Sequence, residues 1–197
     1  MGKRHADALK FCDEAVCTYR KLEEKSPNTF LIGLATSLNN FGACLADLGR
    51  PQEGLPSSEE SVRIFRQLGA QSSESLLPDF AGAIDNLGIC LRKLGRFEEA
   101  FHAANETLEI YRQIAVHRPA VLWDLAIALD NLSWCSKHLG RVEEWHKATV
   151  ELVEARRQLA ASGYPFHSAY PNRLCDWFGR LDHPVIGCGR RAHGLLH

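Results

Sequence analysis

Apolar residues recur along this chain at the spacing of an amphipathic helix. In its middle part they step by three or four residues, as in Phe80, Ile84, Leu87, Leu91 and Leu94. Such steps place side chains on one stripe of a helix. Pro78 fits the first turn, where a proline loses no helical hydrogen bond, and Gly95 fits the end. The pattern therefore predicts a helix between these two residues.

A second amphipathic stripe follows immediately after Gly95. Its members are Phe97, Ala100, Phe101, Ala104, Leu108, Tyr111 and Ala115. Glu98 and Glu99 would lie near the positive end of this helix dipole, which favours a helix start near Phe97. Two helices joined by a glycine turn predict an antiparallel hairpin.

The hairpin pattern repeats along the chain. Leu-Gly-Arg occurs at 48–50, 94–96 and 139–141, so that its arginines are 46 and then 45 residues apart. Each copy follows a related hexapeptide: Asn-Phe-Gly-Ala-Cys-Leu, Asn-Leu-Gly-Ile-Cys-Leu and Asn-Leu-Ser-Trp-Cys-Ser. Since one hairpin buries too little surface to fold alone, such repeats stack into a solenoid. The predicted fold is all-α, an α-solenoid of antiparallel helix hairpins.

The repeat boundaries follow from the same landmarks. We predict one array over 4–160, with a half repeat at 4–22 and full repeats at about 30–70, 78–116 and 120–160. Residues 161–197 lack the landmarks and are expected to form a divergent C-terminal cap or a disordered tail. Their Cys and His residues match no common zinc-finger spacing. We expect no metal site there.

Small residues mark places where two helices would approach closely. One repeat position is held by Gly42, Gly88 and Ser133. Another is held by Gly54 and Ala100, and in the last repeat by Trp145. Large apolar residues mark the core instead. Replacing Leu87 or Leu91 by alanine is expected to cost roughly 2–5 kcal/mol, because both lie on the predicted buried stripe.

The sequence resembles the tetratricopeptide repeat family, whose usual repeat has about 34 residues. Asn39-Asn40-Phe41-Gly42 and Leu94-Gly95-Arg96-Phe97-Glu98-Glu99-Ala100 are similar to the extended repeats of kinesin light chains and of bacterial and fungal multidomain proteins. The resemblance covers about 4–160 and implies a scaffold that binds a peptide or helix of a partner protein in its concave groove. It also leaves open a structural or sensor arm of a larger nucleotide-switch protein, or a self-associating repeat fragment. The partners would then be further repeats or an adjoining domain.

Composition removes several other function classes. The formal net charge is −1, from 23 Lys and Arg against 24 Asp and Glu, so nothing directs the chain to nucleic acid or anionic membranes. The N-terminus is polar, no apolar run is long enough to span a membrane, and the seven cysteines suggest no disulfide framework. We therefore expect a cytoplasmic protein.

The usual signatures of catalysis are missing from the sequence. It contains no phosphate-binding Gly-rich loop before Lys-Ser or Lys-Thr, no Gly-x-Ser-x-Gly and no His-Glu-x-x-His. We expect no enzyme and no cofactor.

Cys44, Cys90 and Cys135 occupy equivalent positions in three successive repeats. They could form a row of thiols for metal or redox chemistry, or each could fill a small buried slot. Adjacent helices lie roughly 10 Å apart, too far for zinc ligands at about 2.3 Å each. The slot is the favoured interpretation.

A polar row on the first helices is the candidate peptide-binding site. It comprises Asn39, Asn40, Asp85, Asn86, Asp130 and Asn131. In the family such asparagines hold an extended peptide by its backbone, since an amide both donates and accepts hydrogen bonds. Alternatively, they tie neighbouring helices together. Lys93, Lys137 and His138 could add a site for acidic side chains, or could be solvated surface charges; in an earlier repeat Asp47 replaces Lys93.

Overall fold

The computed structural model describes residues 2–70, 73–118 and 121–161. These residues form seven helices with no strand among them. The helices are α1 (Gly2–Lys25), α2 (Leu31–Asp47), α3 (Pro51–Gln67), α4 (Leu77–Lys93), α5 (Phe97–Ala115), α6 (Leu122–His138) and α7 (Val142–Ala161). Of the described residues, those up to Leu159 belong to one compact unit. The predicted cap or tail at 161–197 lies, apart from its first residue, outside the described residues.

The helices follow one another as hairpins. α2 packs against α3 and α4 against α5, and each second helix of a hairpin also contacts the first helix of the next. We call α2, α4 and α6 the first helices and α1, α3, α5 and α7 the second helices. α2 contacts α4 and α4 contacts α6, so the first helices lie side by side. The all-α solenoid of helix hairpins predicted from the sequence is confirmed.

The Leu-Gly-Arg tripeptides form the turns inside the hairpins. Gly49, Gly95 and Gly140 have φ values of +76°, +77° and +70°, which glycine adopts without strain. After α4, the amide of Arg96 donates to Leu91 O at 3.0 Å and that of Gly95 to Arg92 O at 3.1 Å. These two bonds make a Schellman motif, which satisfies the last carbonyl groups of the helix. α5 then begins at Phe97, as predicted.

Close contacts within the hairpins loosen along the array. In the first, a Cβ added at Gly42 would lie 2.3 Å from Ser58 Oγ and 3.0 Å from Gly54 O. At Gly88 the nearest atom would be Ala103 Cβ, at 3.3 Å. Only the first hairpin therefore requires glycine for its helices to meet. The third has Ser133 at this position, with its Oγ 3.1 Å from Thr149 Oγ1.

A continuous apolar core runs through the hairpins. Its largest fully buried side chains include Phe65, Phe80, Leu108 and Leu129. Leu91 is also buried, as predicted. Leu87 is different: it is only half-buried and packs against the edge of the core. The predicted cost of truncation therefore applies to Leu91 and is smaller for Leu87.

Ion pairs join each second helix to the next along the outer side of the array. Arg20 pairs with Glu60 at 2.6 Å, Arg66 with Glu106 at 2.7 Å and Arg112 with Glu151 at 2.6 Å. The arginines are equivalent in the repeat, and so are the glutamates. Because these pairs are partly exposed, each contributes at most about 1 kcal/mol. Their regularity shows that successive repeats stack in the same register.

Candidate functional site

Two hydrogen bonds within the polar row join neighbouring first helices. Asn86 Nδ2 donates to Asn39 Oδ1 at 2.9 Å, joining α4 to α2. Asn131 Nδ2 donates to Asp85 Oδ1 at 3.0 Å, joining α6 to α4. Each bond connects one repeat position to the position before it in the preceding repeat. Asp85, Asn86 and Asn131 are buried, with exposed fractions of 4%, 9% and 8%.

Two members of the row lie elsewhere. Asn40, the equivalent of Asn86 in the first repeat, is exposed to solvent. Asp130 Oδ1 lies 3.6 Å from the Arg156 guanidinium of α7. Burial lowers the pKa of Arg156, and the charge of Asp130 acts in the opposite direction. The row is therefore divided between buried residues that join helices and Asn40, whose amide faces solvent.

The basic residues at the ends of the first helices also connect repeats. Lys93 Nζ donates to Ala46 O at 2.6 Å and lies 3.8 Å from Asp47 Oδ1. The lysine of one repeat and the aspartate that replaces it in the previous one are thus partners. Lys137 and His138 lie at the exposed end of α6.

An aromatic group beside His138 was missed by the sequence interpretation. Trp134 stacks on His138 with ring centroids 3.5 Å apart and meets Phe97 edge-on at 5.2 Å. The Arg92 guanidinium lies 5.0 Å from the centre of the Trp134 ring, which favours a cation–π interaction. His138 Nδ1 lies 2.8 Å from Trp134 O, close enough to donate to that carbonyl. We call Arg92, Phe97, Trp134 and His138 the aromatic cluster.

The repeat alignment contained a signal for this cluster. Trp134 occupies the position of Ala43 in the first repeat and Ile89 in the second, and all three residues are half-buried. Because this position faces the surface, a larger side chain there does not enlarge the core that the repeats share. The comparison of equivalent positions, rather than the search for polar rows, would have selected Trp134.

The cysteine row fills buried slots in two of its three positions. Cys90 and Cys135 have exposed fractions of 0% and 1%, as the slot interpretation predicted. Burial raises the pKa of Cys135 to about 11. Cys44 is half-buried and has a cysteine neighbour, Cys12, on α1.

The described part of the chain holds neither a metal-binding cluster nor a membrane-spanning helix. Among residues 2–70, 73–118 and 121–161, no three His, Cys, Asp or Glu side chains lie close enough to hold a metal ion. None of the helices described there is long and apolar enough to cross a membrane. The Cys and His residues beyond position 161 lie outside the described residues.

Residues 80–116, which contain most of α4 and all of α5, match the family model described as "Tetratricopeptide repeat". This segment of the chain therefore resembles a tetratricopeptide repeat. The resemblance to tetratricopeptide repeats noted in the sequence is thereby confirmed.

Solved structures share the fold of this tetratricopeptide-like array. The crystal structure of BtubC (BKLC) from P. vanneervenii has a TM-score of 0.59 and 21% identity, over 81% of this chain and 63% of that one. A second crystal structure, described as kinesin light chain nearly identical TPR-like repeats from Podosopora anserina, has a TM-score of 0.60 and is 16% identical to this chain. The match covers 88% of this chain and 74% of that one. The tetratricopeptide-like array thus spans less than two thirds of the BtubC chain. No curated protein matches its sequence significantly.

Proposed function

We propose that this chain is a protein-interaction module that binds an extended peptide or a helix of a partner protein across its first helices. The binding surface would be the groove side of α2, α4 and α6, with the aromatic cluster at one end and Asn40 at the other. Helical repeats of this type generally serve as protein-binding scaffolds, which supports the proposal. The proposal includes no catalysis and no cofactor.

The aromatic cluster is the observation that carries this proposal. Trp134 stands where the earlier repeats have Ala43 and Ile89, so the fold itself does not require a tryptophan there. Its ring is half-buried and held by His138 and Phe97. Rigid, partly exposed aromatic side chains are common anchors in protein interfaces, because they bury large areas with little loss of conformational entropy.

The charges near Trp134 suggest what the partner segment carries. Lys137 and His138 are exposed at the end of α6, and Arg92 lies over the indole ring. A ligand with an apolar side chain next to an aspartate or glutamate would match this combination. The partner segment is therefore proposed to be an acidic–apolar one.

The buried part of the polar row has a supporting role in this proposal. Asn86 and Asn131 use one amide hydrogen each to join first helices, which fixes the spacing of the groove. Asn40 is the member best placed to bond a peptide backbone, since it is exposed. Lys93 and Asp47 likewise hold adjacent helices in place.

A peptide library tests the proposal directly, because selection from it requires no identified partner. Peptides selected for binding to the wild-type chain should bind Trp134→Ala at least about tenfold more weakly, the loss expected from removing an anchor worth about 1.4 kcal/mol or more. Circular dichroism should show unchanged helicity, because the first repeat has an alanine, Ala43, at the equivalent position. Phe11→Ala is the matched control, since it removes an aromatic side chain that is 68% exposed on α1.

Two results would contradict the proposal. One is equal affinity of the selected peptides for the wild type and for Trp134→Ala. The other is an equal loss in the Phe11→Ala control, which would show general apolar adhesion instead of a groove.

A second candidate function is a structural arm that continues by stacking on more repeats. Val153 on α7 is 45% exposed, whereas the equivalent residues Val62 and Leu108 are 2% and 0% exposed. A position buried in two repeats and open in the third indicates a surface that could accept another first helix. Either function is proposed to operate in the cytosol.

A further inference from the structure

One repeat position places a cysteine of each first helix next to a residue of the preceding second helix. In the second repeat, Cys90 Sγ lies 3.7 Å from Ser58 Oγ, and both side chains are buried. In the first repeat, Cys44 Sγ lies 3.9 Å from Cys12 Sγ. Cys12 and Ser58 are equivalent residues. The same slot therefore holds a hydroxyl–thiol pair in one repeat and a pair of thiols in the other.

We propose that Cys12 and Cys44 form an oxidisable dithiol that closes into a disulfide joining α1 to α2. Both thiols are free and half-buried, so a small oxidant can reach them, unlike the buried Cys90 and Cys135. A disulfide needs the sulfur atoms to approach to about 2.05 Å. The two Sγ atoms are 3.9 Å apart across the contact between α1 and α2, so closing the bond requires a further approach of about 1.9 Å.

The reaction is a thiol–disulfide exchange with a small disulfide such as oxidised glutathione. The thiolate of Cys12 attacks one glutathione sulfur, breaks the S–S bond and releases one glutathione thiolate. Cys44 then loses its proton to solvent and attacks the Cys12 sulfur, which releases the second glutathione. Two cysteine thiols are oxidised by two electrons, and one glutathione disulfide is reduced to two thiols.

The surroundings of Cys44 support this order of attack. Burial, together with the neighbouring Cys12 and Asp47, raises the pKa of Cys44 to about 12. Cys44 is therefore protonated at neutral pH, and Cys12 makes the first attack.

The bond would change how α1 is held. α1 precedes the three hairpins and contacts α2. A covalent link between residues 32 positions apart would restrict the unfolded chain and fasten α1 to the first hairpin. This inference concerns a part of the array distinct from the aromatic cluster, and it does not depend on the proposed function.

Titration of the full chain in glutathione redox buffers of increasing oxidising ratio tests the proposal. Peptide mapping by mass spectrometry should find a linked pair containing Cys12 and Cys44 in the oxidised sample, and the melting temperature should rise by roughly 5–10 °C. Reduction should reverse both changes. Cys12→Ser should show neither change while folding normally, because it reproduces the Ser58–Cys90 pair of the next repeat. Cys17→Ser is the matched control on the exposed α1 thiol and should behave as wild type.

Several outcomes would overturn the proposal. A fully oxidised sample in which Cys12 and Cys44 are both glutathionylated, or both still reduced, would show that the thiols cannot close the bond. Linkage of Cys12 mainly to Cys17 would have the same meaning. An equal melting shift in Cys12→Ser would attribute the stabilisation to another thiol.

Discussion

At the scale of single residues, three helical glycines differ in the space around them: Gly42 and Gly88 at one repeat position, and Gly82 at another. A Cβ on Gly42 would collide with Ser58 Oγ at 2.3 Å, and one on Gly88 would press on Ala103 Cβ at 3.3 Å. A Cβ on Gly82 would meet only Tyr111 Oη, at 4.0 Å. In each case alanine would also gain about 0.8–1.0 kcal/mol of helix propensity. The free volume therefore decides the sign of the effect.

We predict a graded series for the three alanine substitutions. Gly42→Ala should lower the free energy of unfolding by about 1–3 kcal/mol, because the first hairpin must open to admit the methyl group. Gly88→Ala should be nearly neutral, and Gly82→Ala should raise stability by up to about 1 kcal/mol. Urea denaturation followed by circular dichroism measures all three. A Gly42→Ala protein as stable as Gly82→Ala would show that the contact with Ser58 relaxes freely.

The sequence could identify Gly42 and Gly88 as sites of close helix contact, but not which of the two contacts is tighter. The repeat alignment predicted that small residues sit at close helix contacts, and Gly42 and Gly88 do. It could not show that the first hairpin is the tighter one, because that depends on Gly54. Gly54 lets the backbones of α2 and α3 come within contact distance, whereas the equivalent Ala100 holds α5 slightly away.

At the scale of helices, hydrogen bonds from asparagine side chains join α2 to α4 and α4 to α6 at buried positions. Asp85 is 4% exposed and accepts a hydrogen bond from Asn131 at 3.0 Å. A buried carboxylate that loses a donor suffers a desolvation cost that water cannot fully repair. The bond therefore matters more for holding α4 to α6 than an exposed amide would.

We predict that Asn131→Ala lowers the free energy of unfolding by about 1–3 kcal/mol while leaving the helix content unchanged. Asn40→Ala is the matched control: the same residue type at the same repeat position, but exposed. It should change stability by no more than about 0.5 kcal/mol. The measurement is the urea concentration at the midpoint of unfolding, compared between variants whose unfolding transitions have the same slope. Equal midpoints for the two variants would mean that water replaces the Asn131 amide without loss.

This bonding pattern marks the limit of what the row could reveal in the sequence. The asparagines were recognised as equivalent, and two roles were left open, peptide binding and helix joining. Deciding between them needs the stagger of neighbouring helices, which makes Asn86 meet Asn39 and not Asn40. That stagger arises from packing of whole helices and has no local sequence signal. The peptide-binding role of the row remains a prediction, now centred on Asn40.

At the scale of the whole molecule, the fold followed from period and pattern alone. Helix positions, glycine turns and repeat stacking follow from local patterns that recur in each repeat. A pattern that is weak in one repeat can therefore be recognised from the others. The aromatic cluster departs from the repeat, and its significance emerges only when α4, α5 and α6 are brought together. The alignment can single out Trp134 as a residue that departs from the repeat, but its contacts with Phe97, His138 and Arg92 needed the structure.

The open surface of α7 gives the last prediction. Val153 lies at a position that is buried in both earlier repeats, whereas Val150 is 56% exposed at a position held earlier by Glu59 and Asn105. If the array continues by stacking on a second copy, its mass by light scattering should rise with protein concentration, and Val153→Asp should abolish that rise. Val150→Asp should not, because its position is polar in the other repeats. A constant monomer mass across the concentration range would contradict stacking between copies.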